Sequence, residues 1–235
     1  MEIVDPSAEF SDKNIRRGFI VKVYSILFVE LAIAMGIICV FVFSEPVKEA
    51  LLESKQIAVS LLFFGFFGFA LIMYVFVCIP TSRKSVPLNF ILLTVAAVSA
   101  ALMLGVVSSI YETTVVLLAM SATFAIVASI TVVAAVCPFD ITDKGVILFV
   151  IGMVFSFALT TALIISFFMK IKLIWTILVA IGVLVISAFL LYDTQLIIGG
   201  GKVELSPEEY IFAAIILFSD IMNLYLYLLY LFGND

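Results

Sequence analysis

The sequence predicts an all-α integral membrane protein with seven transmembrane helices. Of its 235 residues, 65% are apolar and only 12% are charged, against roughly 45–50% and about 25% in soluble globular proteins. A soluble fold could not cover that much apolar side chain with polar surface, whereas a surface facing lipid needs no such cover. The apolar residues also fall into seven runs, each near the roughly 20 residues that a helix needs to cross a bilayer.

Charged residues, prolines and glycines separate these runs. We predict spans at about residues 18–43, 57–79, 88–110, 115–136, 146–169, 173–198 and 210–232, with a charged loop at 45–55. Gly199 and the two glycines after it form a helix stop, and Ser206-Pro207-Glu208-Glu209 is typical of a helix start. Residues 1–17 are then a short cytosolic N-terminal segment, and residues 18–235 are one seven-span transmembrane domain. Because the first apolar run is too long for a signal peptide, we expect it to be retained.

Small residues recur in the third and fourth spans, where they predict close helix contacts. They are Ala96, Ala97, Ser99, Ala100, Ala101 and Gly105, followed by Ser121, Ala122, Ala125, Ala128 and Ser129.

The distribution of lysine and arginine predicts the orientation. With alternating spans, the side of the N-terminus carries Lys13, Arg16, Arg17, Lys22, Arg83, Lys84, Lys144 and Lys202, and the opposite side carries Lys48, Lys55, Lys170 and Lys172. This excess predicts an N-terminus in the cytosol.

Composition also excludes several functions. The chain has no histidine, which removes histidine-based proton relays, metal ligands and catalytic groups. Its cysteines, Cys39, Cys78 and Cys137, are few and widely spaced, so they indicate no disulfide framework. No basic patch suggests nucleic-acid binding. We therefore expect neither an enzyme nor a resident cofactor.

Three acidic residues lie inside predicted spans, where a charge costs about 2.5–3.5 kcal/mol on insertion scales and is a functional-site hypothesis by default. Asp220 is ten residues into the last span, and Asn223 and Tyr227 follow it on the same helix face. Asp193 lies near the end of the sixth span, with Gln195 beside it, and Glu30 lies in the middle of the first.

The sixth and seventh spans are antiparallel neighbours, so Asp193 and Asp220 start from the same side of the membrane. Two carboxyl groups in contact away from water tend to share a proton, and once deprotonated they can bind Ca²⁺. Their estimated depths differ by several ångströms, so spacing alone does not establish contact. Plainer roles stay open: Asp220 as a neutral acid that joins helices, Asp193 as a solvated cap, and Glu30 as a packing residue.

Several segments resemble the Bax-inhibitor/lifeguard family of transmembrane proteins, and the lifeguard branch in particular. They are Ile15-Arg-Arg-Gly-Phe-Ile-Val-Lys-Val-Tyr24, Val86-Pro-Leu-Asn-Phe-Ile-Leu-Leu93, Phe139-Asp-Ile-Thr142, Tyr192-Asp-Thr-Gln-Leu-Ile197, Leu205-Ser-Pro-Glu-Glu-Tyr-Ile211 and Ser219-Asp-Ile-Met-Asn223. The chain departs from the usual pattern at Val21, where an arginine is common, and at Glu30, where relatives often carry glutamine.

The resemblance implies a Bax-inhibitor-like fold and a Ca²⁺-permeable leak, controlled by an aspartate pair that senses pH. The pair maps onto Asp193 and Asp220, with Glu30, Asn223 and Gln195 as candidates for a pathway or supporting role. It further implies suppression of apoptosis, and residence in Golgi, endoplasmic reticulum, plasma or endolysosomal membranes.

Two functional hypotheses follow. The first is a pH-sensitive Ca²⁺ leak channel or Ca²⁺/H⁺ exchanger, whose partners are the lipid bilayer, Ca²⁺ and H⁺. The second is a non-conducting membrane adaptor that binds cell-death or receptor membrane proteins.

Overall fold

The computed structural model describes residues 13–136, 139–166, 172–199, 202–203 and 205–233. Within these residues the chain is helical and contains no strand, which confirms the all-α prediction. The α-helices are α1 (Lys13–Phe43), α2 (Glu45–Glu53), α3 (Lys55–Cys78), α4 (Pro80–Lys84), α5 (Leu88–Ser109), α6 (Thr113–Val136), α7 (Gly145–Ser166), α8 (Lys172–Ile198) and α9 (Tyr210–Phe232). Seven helical segments in the described part of the chain are long and apolar enough to cross a membrane, as predicted.

The segment predicted as a charged loop at residues 45–55 is instead the short helix α2. Its Val47 and Leu51 are four residues apart, so they lie on one helix face and pack with Phe41 and Val106. The charged side chains of this segment concealed an amphipathic pattern, and the loop prediction was therefore wrong.

Both boundaries between α8 and α9 follow the predicted chemistry. Gly199 ends α8 with a positive φ of 73°, a backbone conformation that glycine adopts without a steric penalty. The Ser206 hydroxyl accepts a hydrogen bond from the Glu208 amide at 3.4 Å, and a 3₁₀ turn at Pro207–Glu209 leads into α9. Gly200 and Gly201 lie outside the described residues.

The chain forms two compact units. The first comprises the described residues up to Val116 together with Ser206–Ser219; the second comprises those from Leu117 to Leu205 together with the chain from Asp220 onward. The helix α9 therefore contributes its first half to one unit and its second half to the other.

In the first unit, α1 and α3 pack against α5. A Cβ atom built on Gly65 would lie 2.7 Å from the backbone oxygen of Ser99, and one on Gly105 would lie 2.8 Å from the Phe41 ring. Ala96, Ala97, Ala100 and Ala101 of α5 are buried. These contacts confirm the close packing predicted for the third span.

The same prediction for the fourth span is wrong for four of its five residues, which are exposed: Ser121, Ala125, Ala128 and Ser129. The two serine hydroxyls donate to carbonyls of their own helix, those of Leu117 and Ala125. Because these hydroxyls are already satisfied, they need no neighbouring helix.

Arg83 fixes the start of α9 within the first unit. Its guanidinium donates to Glu209 at 3.1 Å and lies 3.7 Å from the centre of the Phe212 ring. A second ion pair joins Lys84 to Glu208 at 2.8 Å. The two basic residues that the sequence assigned only to orientation are thus also structural contacts.

Candidate functional site

Asp193 on α8 and Asp220 on α9 contact each other within the second unit. A side-chain hydrogen bond joins their carboxyl groups, so the contact that spacing alone left open is present. An ionised carboxylate only accepts hydrogen bonds, and such a bond therefore requires a proton on one of the two groups. The two carboxyl groups thus form a pair between two helices that are long and apolar enough to span a membrane.

One oxygen of Asp220 lies outside this hydrogen bond. The side chain is only 8% exposed, and no donor from the described residues reaches its Oδ2 atom. A buried acceptor without a donor typically costs about 1–3 kcal/mol. This oxygen therefore favours a proton, a cation or an external hydrogen-bond donor.

A cavity of about 520 Å³ lies beside Asp220. Asn223 and Tyr227 line it together with Asp220. The three residues that were predicted to share one face of this helix therefore border the same cavity. The rest of the wall comes from α7 and α8 and is mostly apolar: Phe149, Gly152, Met153, Phe155, Ser156, Gly182, Val185, Ile186 and Phe189. Its volume falls in the range of about 300–1,000 Å³ typical of ligand pockets.

At this cavity, two aromatic rings pack directly against glycines. A Cβ atom on Gly152 would lie 2.8 Å from the Phe189 ring, and one on Gly182 would lie 2.8 Å from the Phe155 ring. The sequence did not indicate these wall residues, because an apolar residue that lines a cavity has the same pattern as one that faces lipid. The glycines within the two spans were the available signal.

Gln195 uses both ends of its amide on the loop that precedes α7. Its Nε2 atom donates to the Phe139 carbonyl at 2.7 Å, and its Oε1 atom accepts from the Ile141 amide at 3.0 Å. Two residues after Asp193, this side chain ties α8 to the loop. These contacts are those of a supporting residue.

The same loop is held by a network that the sequence analysis did not predict. Asp140 accepts from the amide and hydroxyl of Thr142 at 2.8 and 2.7 Å, and from the Lys202 amide at 3.1 Å. The bonds from Thr142 lower the pKa of Asp140, and the ion pair with Asp143 raises the pKa of Lys202. An aspartate two residues before a threonine is a common turn signal, which could have indicated this network.

Glu30 belongs to the first unit. It is 5% exposed and accepts a hydrogen bond from the Thr94 hydroxyl at 3.3 Å, while no donor from the described residues reaches its Oε2 atom. Its partner is thus a neutral hydroxyl, which fits the packing role as well as a pathway role.

The described residues contain no cluster of three or more acidic, cysteine or histidine side chains that could hold a metal ion. Ca²⁺ usually takes six to eight oxygen ligands, so Asp193 and Asp220 alone supply an incomplete set.

Comparisons with known proteins agree with the resemblance. Residues 16–235 match the family described as inhibitor of apoptosis-promoting Bax1. The chain is 31% identical to human protein lifeguard 3 over 96% of its own length and 71% of that protein, and 30% identical to the mouse protein over 96% and 72%. It is also 30% identical to the Golgi anti-apoptotic protein of vaccinia virus, over 93% of this chain and 86% of the viral protein. The chain belongs to the Bax inhibitor family.

Proposed function

We propose that this protein is a pH-sensitive Ca²⁺ leak of intracellular membranes that lowers stored Ca²⁺ and so restrains apoptosis. The observation that carries the proposal is the hydrogen bond between the Asp193 and Asp220 carboxyl groups inside two spans. The names of the relatives support an anti-apoptotic role, and that of the viral relative favours the Golgi. The excess of basic residues on the N-terminal side favours a cytosolic N-terminus.

The pair acts as a latch whose state depends on one proton. With the proton in place, the carboxyl groups bond and hold α8 against the second half of α9. When the proton leaves, two negative charges face each other where water screens them poorly, and they repel strongly. The helices then separate, and the carboxylate oxygens become available to Ca²⁺. Flux should therefore rise as pH rises.

The same pair could couple Ca²⁺ entry to proton release, which would make the protein a Ca²⁺/H⁺ exchanger. Binding of a divalent cation between the carboxylates displaces the shared proton. Simultaneous recording of Ca²⁺ and proton movement separates the two mechanisms, because a leak moves Ca²⁺ without a fixed number of counter-transported protons.

The deciding experiment is Ca²⁺ flux into proteoliposomes at a series of pH values. It compares the wild type with Asp193→Asn, Asp220→Asn and the double variant. Because the two groups share one proton, we expect each single variant to abolish most of the pH dependence and the double variant to add little. Asp143→Asn, an acid with ordinary ion pairs to Lys144 and Lys202, is the matched control and should retain it.

Absence of flux above that of empty vesicles at every pH would refute the leak. The non-conducting adaptor, which binds cell-death or receptor membrane proteins, would then be the function to pursue.

A further inference from the structure

The wall of the cavity beside Asp220 is mostly apolar. Phe155, Val185, Ile186 and Phe189 form much of its wall. A hydrated cation needs polar groups to replace its water, and this wall offers few. An apolar wall is instead what the hydrocarbon part of a ligand requires.

Residues at the α7 side of the cavity are open to the surroundings of the helix. Phe149 and Met153 line the cavity and are 65% and 56% exposed. Both lie within a segment long and apolar enough to span the membrane, so their exposed surface faces lipid. A ligand dissolved in the bilayer can therefore reach the cavity without crossing water.

The polar end of the cavity selects the head group of that ligand. The Oδ2 atom of Asp220 is buried and receives no hydrogen bond from the described residues. When the Asp193–Asp220 pair holds a single proton, it carries one net negative charge. This charge favours a cationic donor and repels a carboxylate or phosphate head group. Phe155, Phe189 and Tyr227 also line the cavity, and an ammonium group positioned over the face of an aromatic ring gains cation–π attraction.

We propose that this cavity is a binding site for a single-chain amphiphile with a protonated amine head group. The ammonium group binds at the Asp220 carboxyl group, which lines the cavity, and the alkyl chain lies along the apolar wall toward Phe149 and Met153. This site goes beyond the leak proposed above, since it concerns binding and holds whether or not the protein conducts.

The test uses the full-length protein in phosphatidylcholine vesicles with a primary alkylamine that carries a diazirine and an alkyne. The alcohol and the carboxylic acid of the same chain are the comparison probes. After irradiation, mass spectrometry locates the label. We expect the amine to label the cavity wall at least about tenfold more than either comparison probe, since a charge-assisted hydrogen bond distinguishes it.

Three variants sharpen the result. Asp220→Asn should reduce amine labelling to the level of the alcohol. Val185→Trp fills the cavity while both aspartates stay in the sequence, and it should abolish labelling by all probes. Leu184→Trp, on the same helix at a residue that is 71% exposed and does not line the cavity, should leave labelling unchanged.

Equal labelling by the amine, alcohol and acid would overturn the proposal, because it would indicate general partition into lipid. Unchanged labelling of Val185→Trp would overturn it as well. If Asp220→Asn fails to fold by circular dichroism, the pair Val185→Trp and Leu184→Trp decides alone. Loss of flux in the leak assay with normal amine labelling would refute only the leak.

Discussion

The two units of the molecule differ in the packing of their interiors and in the partners of their buried acids. In the first, a Cβ atom on Gly65 of α3 would meet the backbone oxygen of Ser99 on α5 at 2.7 Å, and the buried acid Glu30 has a hydroxyl partner. In the second, α7, α8 and α9 border a cavity of about 520 Å³, and the buried acid Asp220 has another acid as its partner.

This difference decides which buried acid would keep its hydrogen-bond partner when pH changes. A carboxyl group that accepts a hydrogen bond from a hydroxyl keeps the same donor as pH changes, because a threonine hydroxyl does not lose its proton in the pH range of aqueous solutions. A carboxyl group bonded to another carboxyl loses its partner when the shared proton leaves. Dense packing resists movement, whereas a cavity leaves room for it. Both features support the second unit as the place of the proposed pH response.

The largest expected effect tests this contrast between the acids directly. Glu30→Gln should keep the pH dependence of Ca²⁺ flux in proteoliposomes, because glutamine still accepts from Thr94. Asp193→Asn should lose it, since the amide cannot exchange a proton. The ratio of flux at pH 8 to flux at pH 6 measures the effect in each variant.

The contrast fails if Glu30→Gln flattens the pH profile as strongly as Asp193→Asn does. Glu30 would then be a titrating pathway residue, and the first unit would share in the pH response.

The next largest effect tests the packing of the two units. Gly65→Ala in the first unit should lower the free energy of unfolding by about 1–3 kcal/mol, because the new Cβ meets the Ser99 backbone oxygen and Met103. Gly182→Ala in the second unit should cost less. Its new Cβ meets the ends of two side chains, the Phe155 ring at 2.8 Å and the Tyr227 ring at 3.1 Å, and no backbone atom; both rings border the cavity. Thermal unfolding in detergent, followed by circular dichroism, compares the two.

Gly36→Ala is the control for helix propensity, since nothing lies within 4 Å of a Cβ at this position. A smaller loss for Gly65→Ala than for Gly182→Ala would contradict the difference in packing.

The sequence predicted the spans well but the interior of the second unit only in part. Seven apolar runs and the turn chemistry at Gly199 and Ser206 are local signals, and the helices follow them. The pairing of Asp193 with Asp220 needed the resemblance, because the distance between two helices cannot be calculated from spacing along one.

The cavity and the loop contacts were beyond the sequence for a physical reason. In the sequence, nothing distinguishes Phe149, Phe155 and Phe189 from phenylalanines that face lipid. Phe64, which is 70% exposed, is an example of the latter. Gln195 reads as a polar residue near a helix end, and only the fold shows that its amide bonds to the backbone of Phe139 and Ile141.

A smaller effect is expected where Gln195 supports the site. Gln195→Met keeps the length of the side chain but removes both hydrogen bonds to the loop. We expect a loss of about 1–2 kcal/mol in the free energy of unfolding, since each typical bond contributes about 0.5–1.5 kcal/mol. Gln195→Glu keeps the acceptor for the Ile141 amide but places a second oxygen against the Phe139 carbonyl, so it should not recover the lost stability. Equal stability of wild type and Gln195→Met would show that the two hydrogen bonds of Gln195 do not stabilise the loop.

The smallest expected effect concerns Asp140, which lies in the loop that Gln195 contacts. Hydrogen bonds from Thr142 lower the pKa of Asp140 below its usual 3.8. A carboxyl group whose pKa is lower in the folded state binds fewer protons there, so its contribution to stability is present above pH 3.8 and is lost as pH falls through the folded-state value. Asp140→Asn keeps the acceptor oxygen for Thr142 but cannot titrate. Between pH 6 and pH 3, the melting temperature of the wild type should therefore fall slightly more than that of Asp140→Asn. Parallel pH profiles would mean that this turn contributes nothing that depends on its charge, and that the backbone contacts of Gln195 hold the second unit's loop without it.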